Sequence, residues 1–140
     1  METEPGMEKL DFTGTWRFNH QRSLLEIPPP DSTIFVIDHR DPTFRLERTH
    51  TTGGVIDRMQ IELKAGEGAC TQMHGDVEIC ARLYWEGDAL VCESVLKRGA
   101  EQGTNVVRYQ LSDHGRTLLA DETLKLGSHS HQNLWVFDRQ

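Results

Sequence analysis

Along much of this chain apolar and polar residues alternate with a period of two. Phe44, Leu46 and Arg48 fall on one side and Arg45, Glu47 and Thr49 on the other, while Met59, Ile61 and Leu63 oppose Arg58, Gln60, Glu62 and Lys64. Successive side chains of a strand point to opposite faces, so the pattern predicts antiparallel strands with one dry and one wet face. Other stretches rich in Val, Ile, Thr, Leu and aromatic residues lie near 15–20, 32–39, 43–50, 55–64, 79–85, 89–97, 104–111, 117–126 and 130–138, with a shorter strand over 70–76. Polar turn clusters punctuate them: Asp41-Pro42, Gly53-Gly54, Gly66-Glu67-Gly68, Glu86-Gly87-Asp88, Arg98-Gly99, Asp113-His114-Gly115 and Gly127-Ser128.

This rhythm is that of successive hairpins, about nine or ten strands in all. A flat meander would leave two unpaired edges, and short sequential hairpins favour closure into an up-and-down barrel over division into a sandwich. The expected fold is therefore an all-β, antiparallel up-and-down β-barrel. One or two helical turns could form from Gln21 to Glu26, stopped by Pro28-Pro29-Pro30, which imposes an extended crossing of one barrel end. Residues 1–10 are expected to form a disordered tail, and residues 11–140 a single barrel domain.

Composition narrows the function classes. The chain has 140 residues and a formal charge of -7, with 22 acidic residues against 15 scattered basic ones. Such a surface repels a polyanion, so no nucleic-acid partner is expected. No apolar run approaches the roughly 20 residues of a membrane-spanning helix, and no membrane span is expected. The acidic first residues lack the basic start and apolar stretch of a secretory signal, which makes the cytoplasm the expected location. Cys70, Cys80 and Cys92 include no Cys-x-x-Cys pair and are expected to be reduced thiols. A monomer or a homodimer would fit equally well.

Near its start the chain reads Gly14-Thr15-Trp16, followed by Asn19 and Pro28-Pro29-Pro30, and it ends in Leu134-Trp135-Val136-Phe137-Asp138-Arg139. These elements resemble the signature of the calycin superfamily, and in particular a group of bacterial lipocalin-like proteins mostly without an assigned activity. The resemblance runs from Asp11 to Arg139. It implies that Trp16 crosses the closed end of the barrel and that Arg139 packs over the indole, with Gly14, Trp16 and Arg139 serving barrel closure. A guanidinium on an indole face is a cation–π contact that can also hydrogen-bond the chain ends. Two features depart from better-known relatives: the central Thr-Asp-Tyr element of lipocalins is absent, and Gln21 to Asp31 is too short for the helix pair that caps intracellular fatty-acid carriers.

Phase assigns the inward faces. They hold Trp16 and Phe18; Phe44, Leu46, Arg48 and His50; Met59, Ile61 and Leu63; Ile79, Ala81, Leu83 and Trp85; Leu90, Cys92, Ser94 and Leu96; Val107, Tyr109 and Leu111; Leu118, Ala120, Glu122 and Leu124; and Trp135, Phe137 and Arg139. A barrel of this size either fills with side chains or holds one small ligand. The leading expectation is a non-enzymatic binding module for a small, mainly apolar ligand, touching Phe44, Met59, Trp85, Tyr109, Glu122 and Trp135, with Arg48 as anchor for a carboxylate or hydroxyl. Arg48 and Glu122 stand out because a charge facing a dry interior must be paired, hydrated or used by a ligand.

Two alternatives remain open: a barrel enzyme of isomerase type using Glu122 as acid or base with His50 as partner, or a filled barrel acting only through its surface. His129 and His131 share a strand face and could offer two metal ligands, against the plainer reading of solvated histidines at a strand end. No nucleotide, hydrolase or zinc-protease motif is present, and no cofactor is expected.

Overall fold

The computed structural model describes residues 10–68 and 70–140, and for Cys70 the backbone alone. Residues 1–9 of the expected tail lie outside the described residues, whereas Leu10 packs against the core. The strands are β1 (Gly14–Phe18), β2 (Leu24–Leu25), β3 (Ser32–Arg40), β4 (Thr43–Thr52), β5 (Val55–Lys64), β6 (Cys70–His74), β7 (Val77–Glu86), β8 (Ala89–Arg98), β9 (Glu101–Ser112), β10 (Thr117–Leu126) and β11 (His129–Arg139). The segment that could have formed helical turns supplies one 3-10 turn, His20–Arg22, capped by Asn19, whose side chain accepts the Arg22 N–H. Beyond it the two-residue β2 pairs with β11.

All ladders are antiparallel, and their order is β5-β4-β3-β1-β11-β10-β9-β8-β7-β6. The first strand therefore lies between β3 and the last strand, with Trp16 opposite Phe35 on one side and Arg139 on the other. This pairing bends the meander into a nearly closed barrel. Its two free edges, β5 and β6, face each other without a ladder. Side chains bridge that seam: Gln72 donates to the Gln60 carbonyl at 3.0 Å, and His74 Nε2 lies 3.0 Å from Asp57 Oδ1.

One end of the barrel is packed solid. Phe12 and Trp16 are fully buried there, and the Trp16 indole N–H donates to the Phe12 carbonyl at 3.0 Å. Phe12 stacks on Trp85 at 6.1 Å between ring centroids and meets Phe44 edge-on at 6.5 Å, while His39 accepts the Phe12 backbone N–H. Arg139 lies over Trp16 with Cζ 4.2 Å from the ring centroid, and its guanidinium donates to the carbonyls of Thr13 and Gly115 at 2.7 and 2.9 Å. The outer face of the indole is thus covered by a cation whose donors are satisfied on neighbouring backbone.

Gly14 makes room for that cation. Its φ is +150°, and a Cβ there would stand 2.5 Å from Arg139 Nη1. Only glycine adopts such a backbone without strain.

Arg139→Ala should therefore lower stability by about 1 to 2 kcal/mol and red-shift part of the tryptophan emission, because the indole loses its cover and two backbone carbonyls lose their donors. Urea denaturation followed by fluorescence measures both. An unchanged midpoint would mean that the arginine rests on the ring without holding it.

Candidate functional site

The other half of the barrel is not filled. A cavity of about 270 Å³ occupies the interior between the packed end and the tips of the β4–β5, β6–β7 and β8–β9 hairpins. Its walls are largely apolar, with Leu46, Met59, Ile79, Val107 and Trp135 among them. Alternation explains why: each of these residues is in the inward phase of its strand, and the polar residues between them face water.

The polar groups in the walls are few and specifically arranged. Arg48 on β4 is paired with Asp57 of the adjacent β5, Nη2 to Oδ2, at 3.0 Å. Its Nε is buried and has no hydrogen-bond partner among the described residues. Asp57 also lies against His74; burial pushes its carboxyl upward, but the charge of Arg48 and the contact with His74 outweigh this and hold it below the usual carboxylate range. Arg48 therefore belongs to a three-membered group at the seam.

Glu122 on β10 stands on the far wall, four strands away around the barrel. The Asn133 side-chain amide and the Trp135 indole N–H both donate to its Oε1, at 3.0 and 2.9 Å. Asn133, only 1% exposed, accepts the Glu26 backbone N–H through its other amide atom, which ties the connection after the 3-10 turn to the cavity wall. Asn105 on β9, diagonal to Glu122, has a buried Oδ1 without a partner. Tyr109, 6% exposed, is kept protonated well above the ordinary tyrosine range by burial and by the negative charge of Glu122 nearby. Burial likewise raises the Cys92 thiol to about 11, which makes it an inert wall residue.

His50 is the remaining titratable wall group. Its Nδ1 is 2.6 Å from Thr33 Oγ1, and its ring lies 5.8 Å from that of Trp135. Burial, then the neighbouring charge of Arg48, depress its pKa to about 4, so it is neutral at physiological pH. No hydrogen bond joins His50 to Glu122 among the described residues, although both line the cavity.

The cavity thus brings together Arg48, His50, Met59, Tyr109, Glu122 and Trp135. Phe44 and Trp85 do not line it: both point inward at the packed end, where Phe44 is 1% exposed and Trp85 donates its indole N–H to Asp41. Phase tells inward from outward and carries no information on height along the barrel axis. His129 is exposed and His131 half-buried on β11, and no group of three or more His, Cys, Asp or Glu among the described residues is arranged to hold a metal. Asn105 and Asn133 escaped the sequence reading although each lies in the inward phase, with Val107 and Tyr109 in one case and Trp135 and Phe137 in the other. That phase was the signal that could have found them.

His50 gives the fold an acid-sensitive point. Its folded pKa of about 4 lies below the unfolded value near 6.5, so its contribution is complete above pH 6.5 and is lost as the pH falls toward 4. Discounted for its partial exposure, this amounts to about 1 to 2 kcal/mol. Urea midpoints measured from pH 7 to 4 should fall less steeply for His50→Gln than for the wild type; parallel slopes would assign the acid sensitivity to other groups.

No protein-family model and no curated protein sequence matches this chain. Solved structures do. The REP1-NXSQ fatty acid transporter is similar with a TM-score of 0.62 at 10% identity, over 91% of this chain and 95% of that one. Secretory abundant heat soluble protein 4 from Ramazzottius varieornatus reaches 0.62 at 15% identity, over 93% and 95%. Human cRBP IV reaches 0.60 at 14% identity, over 94% and 99%. At such identities the likeness is one of architecture. In fold, this chain is similar to the fatty-acid-binding and lipocalin-like barrels of the calycin kind.

Proposed function

We propose that this barrel is a binding module for a small, mainly apolar molecule held in its interior. The observation that carries the reading is the cavity itself, a largely apolar space inside the barrel with buried polar atoms of Arg48 and Asn105 left without partners. Buried polar groups are normally hydrogen-bonded, and these two are placed where a polar group of a ligand could supply the missing partners. Apolar walls with a few convergent polar groups are the usual make-up of a ligand site.

Size limits the ligand. Ordinary pockets for drug-sized molecules run from about 300 to 1,000 Å³, so 270 Å³ suits a compact molecule better than a long chain. The fold-level likeness to a fatty acid transporter and to cRBP IV supports use of the interior for ligands. It does not carry their ligands over.

Phenylbutanol, a neutral molecule of suitable size, tests the reading. Binding should quench or shift tryptophan emission and show a negative heat-capacity change in calorimetry. The response should come from Trp135, the cavity tryptophan, and vanish in Trp135→Phe, whereas Trp16 and Trp85 at the packed end should not report. Ser94→Leu, which fills the cavity from β8, should abolish binding while the urea midpoint stays near that of the wild type. Undiminished binding by this variant would place the site elsewhere.

A further inference from the structure

The charges in the cavity wall do not balance, and the imbalance describes the ligand. Arg48 is matched by Asp57 at 3.0 Å, so the one guanidinium in the wall already has its carboxylate. Glu122 has no such match. No cation lies within ion-pair distance of it among the described residues, and its hydrogen bonds come from two neutral groups, the Asn133 amide and the Trp135 indole. Both converge on Oε1, which leaves Oε2 without a hydrogen-bond partner among the described residues.

A second acceptor stands beside it. In the β9–β10 ladder Val107 faces Glu122 and Asn105 faces Leu124, so Asn105 and Glu122 are diagonal neighbours on one inward face, about 7 to 8 Å apart. Asn105 Oδ1 is buried and unpartnered, and Asn105 and Glu122 both line the cavity. One wall therefore presents two oxygens that accept hydrogen bonds and receive fewer than they can take. An ammonium group would supply donors to both oxygens, and its charge would complement the carboxylate.

From this juxtaposition we propose that Glu122 and Asn105 form a subsite for a protonated amine, so that the ligand is a compact amphiphilic amine with an apolar body. The inference rests on reading the cavity as a ligand site and adds the chemistry of the head group. An ammonium group donates to Glu122 Oε2 and to Asn105 Oδ1 at once, while the Trp135 indole N–H holds the same carboxylate through Oε1. Arg48, across the barrel on β4, leaves its Nε for an acceptor at the opposite end of the ligand. A fatty carboxylate is disfavoured at this wall, because Glu122 repels it.

Three probes of nearly equal shape separate these statements: phenylbutylamine, phenylbutanol and phenylbutyrate, titrated calorimetrically into the full chain at pH 7. The amine should bind roughly tenfold or more tightly than the carboxylate, with the alcohol between them. Glu122→Gln keeps an oxygen for Asn133 and Trp135 and should weaken the amine about tenfold while moving the alcohol less than about twofold. Asn105→Leu, chosen to guard against loss of fold in the first variant, should weaken amine and alcohol but not the carboxylate. If all three probes bind without preference for the amine, or the carboxylate binds best, the amine subsite is wrong and the cavity reading stands. If none binds to the wild type, the cavity reading itself falls, and this inference with it.

Discussion

The pairing of the first strand with the last sets every other feature of this molecule. β1 is only five residues long, yet it joins β3 to β11 and so turns a meander with three strands on one side and the rest on the other into a single curved wall. Closure needs the backbone of β1 to be satisfied on both edges and its inward side chain, Trp16, to be sealed from water. The first is done by two ladders, and the second by the Phe12 carbonyl, which takes the indole N–H, and by Arg139 over the ring. Gly14 belongs to the same device, since its missing Cβ is where the guanidinium passes.

Closure at β1 moves the unavoidable edges elsewhere. β5 and β6 meet at a seam that no ladder crosses, and the chain spans it with side chains and with the Gly66 N–H, which donates to the Leu83 carbonyl at 2.9 Å. Exposed strand edges invite pairing with other chains, and side-chain bridges across a seam are one way to blunt them. They also bring charge inward. Asp57 serves the seam through His74 and the interior through Arg48, so the pairing of the Arg48 guanidinium is decided by residues at the rim of the cavity.

Packing then divides the interior by height. At the closed end large rings fill the section, with Phe12, Phe44, Trp85 and His39 in mutual contact. Toward the other end the inward residues are smaller, Ala120, Ser94 and Val107 among them, and opposite walls fail to meet. Space is left where the chain also places two unmatched polar atoms, Arg48 Nε and Asn105 Oδ1. The walls therefore differ from those of an empty packing defect, which are apolar throughout.

The sequence by itself determined ten of the eleven strands, missing only the two-residue β2, together with the hairpin turns and the phase of most strands, because these are local properties. A period of two is written in adjacent residues, and a glycine pair such as Gly53-Gly54 marks a turn whatever surrounds it; the residues have φ of 56° and 82°. Inward placement of Arg48, Met59, Tyr109, Glu122 and Trp135 follows from that phase. What only the tertiary structure decided is everything that depends on summing over facing strands. Whether Phe44 and Trp85 meet a ligand or fill the closed end depends on height along the axis, on which alternation is silent. The partner of Arg48 depends on the β4–β5 stagger, since Asp57 stands opposite His50 and reaches Arg48 diagonally. The volume of the cavity belongs to no single segment: it is the difference between the circumference that the ladders fix and the side chains that happen to point across it.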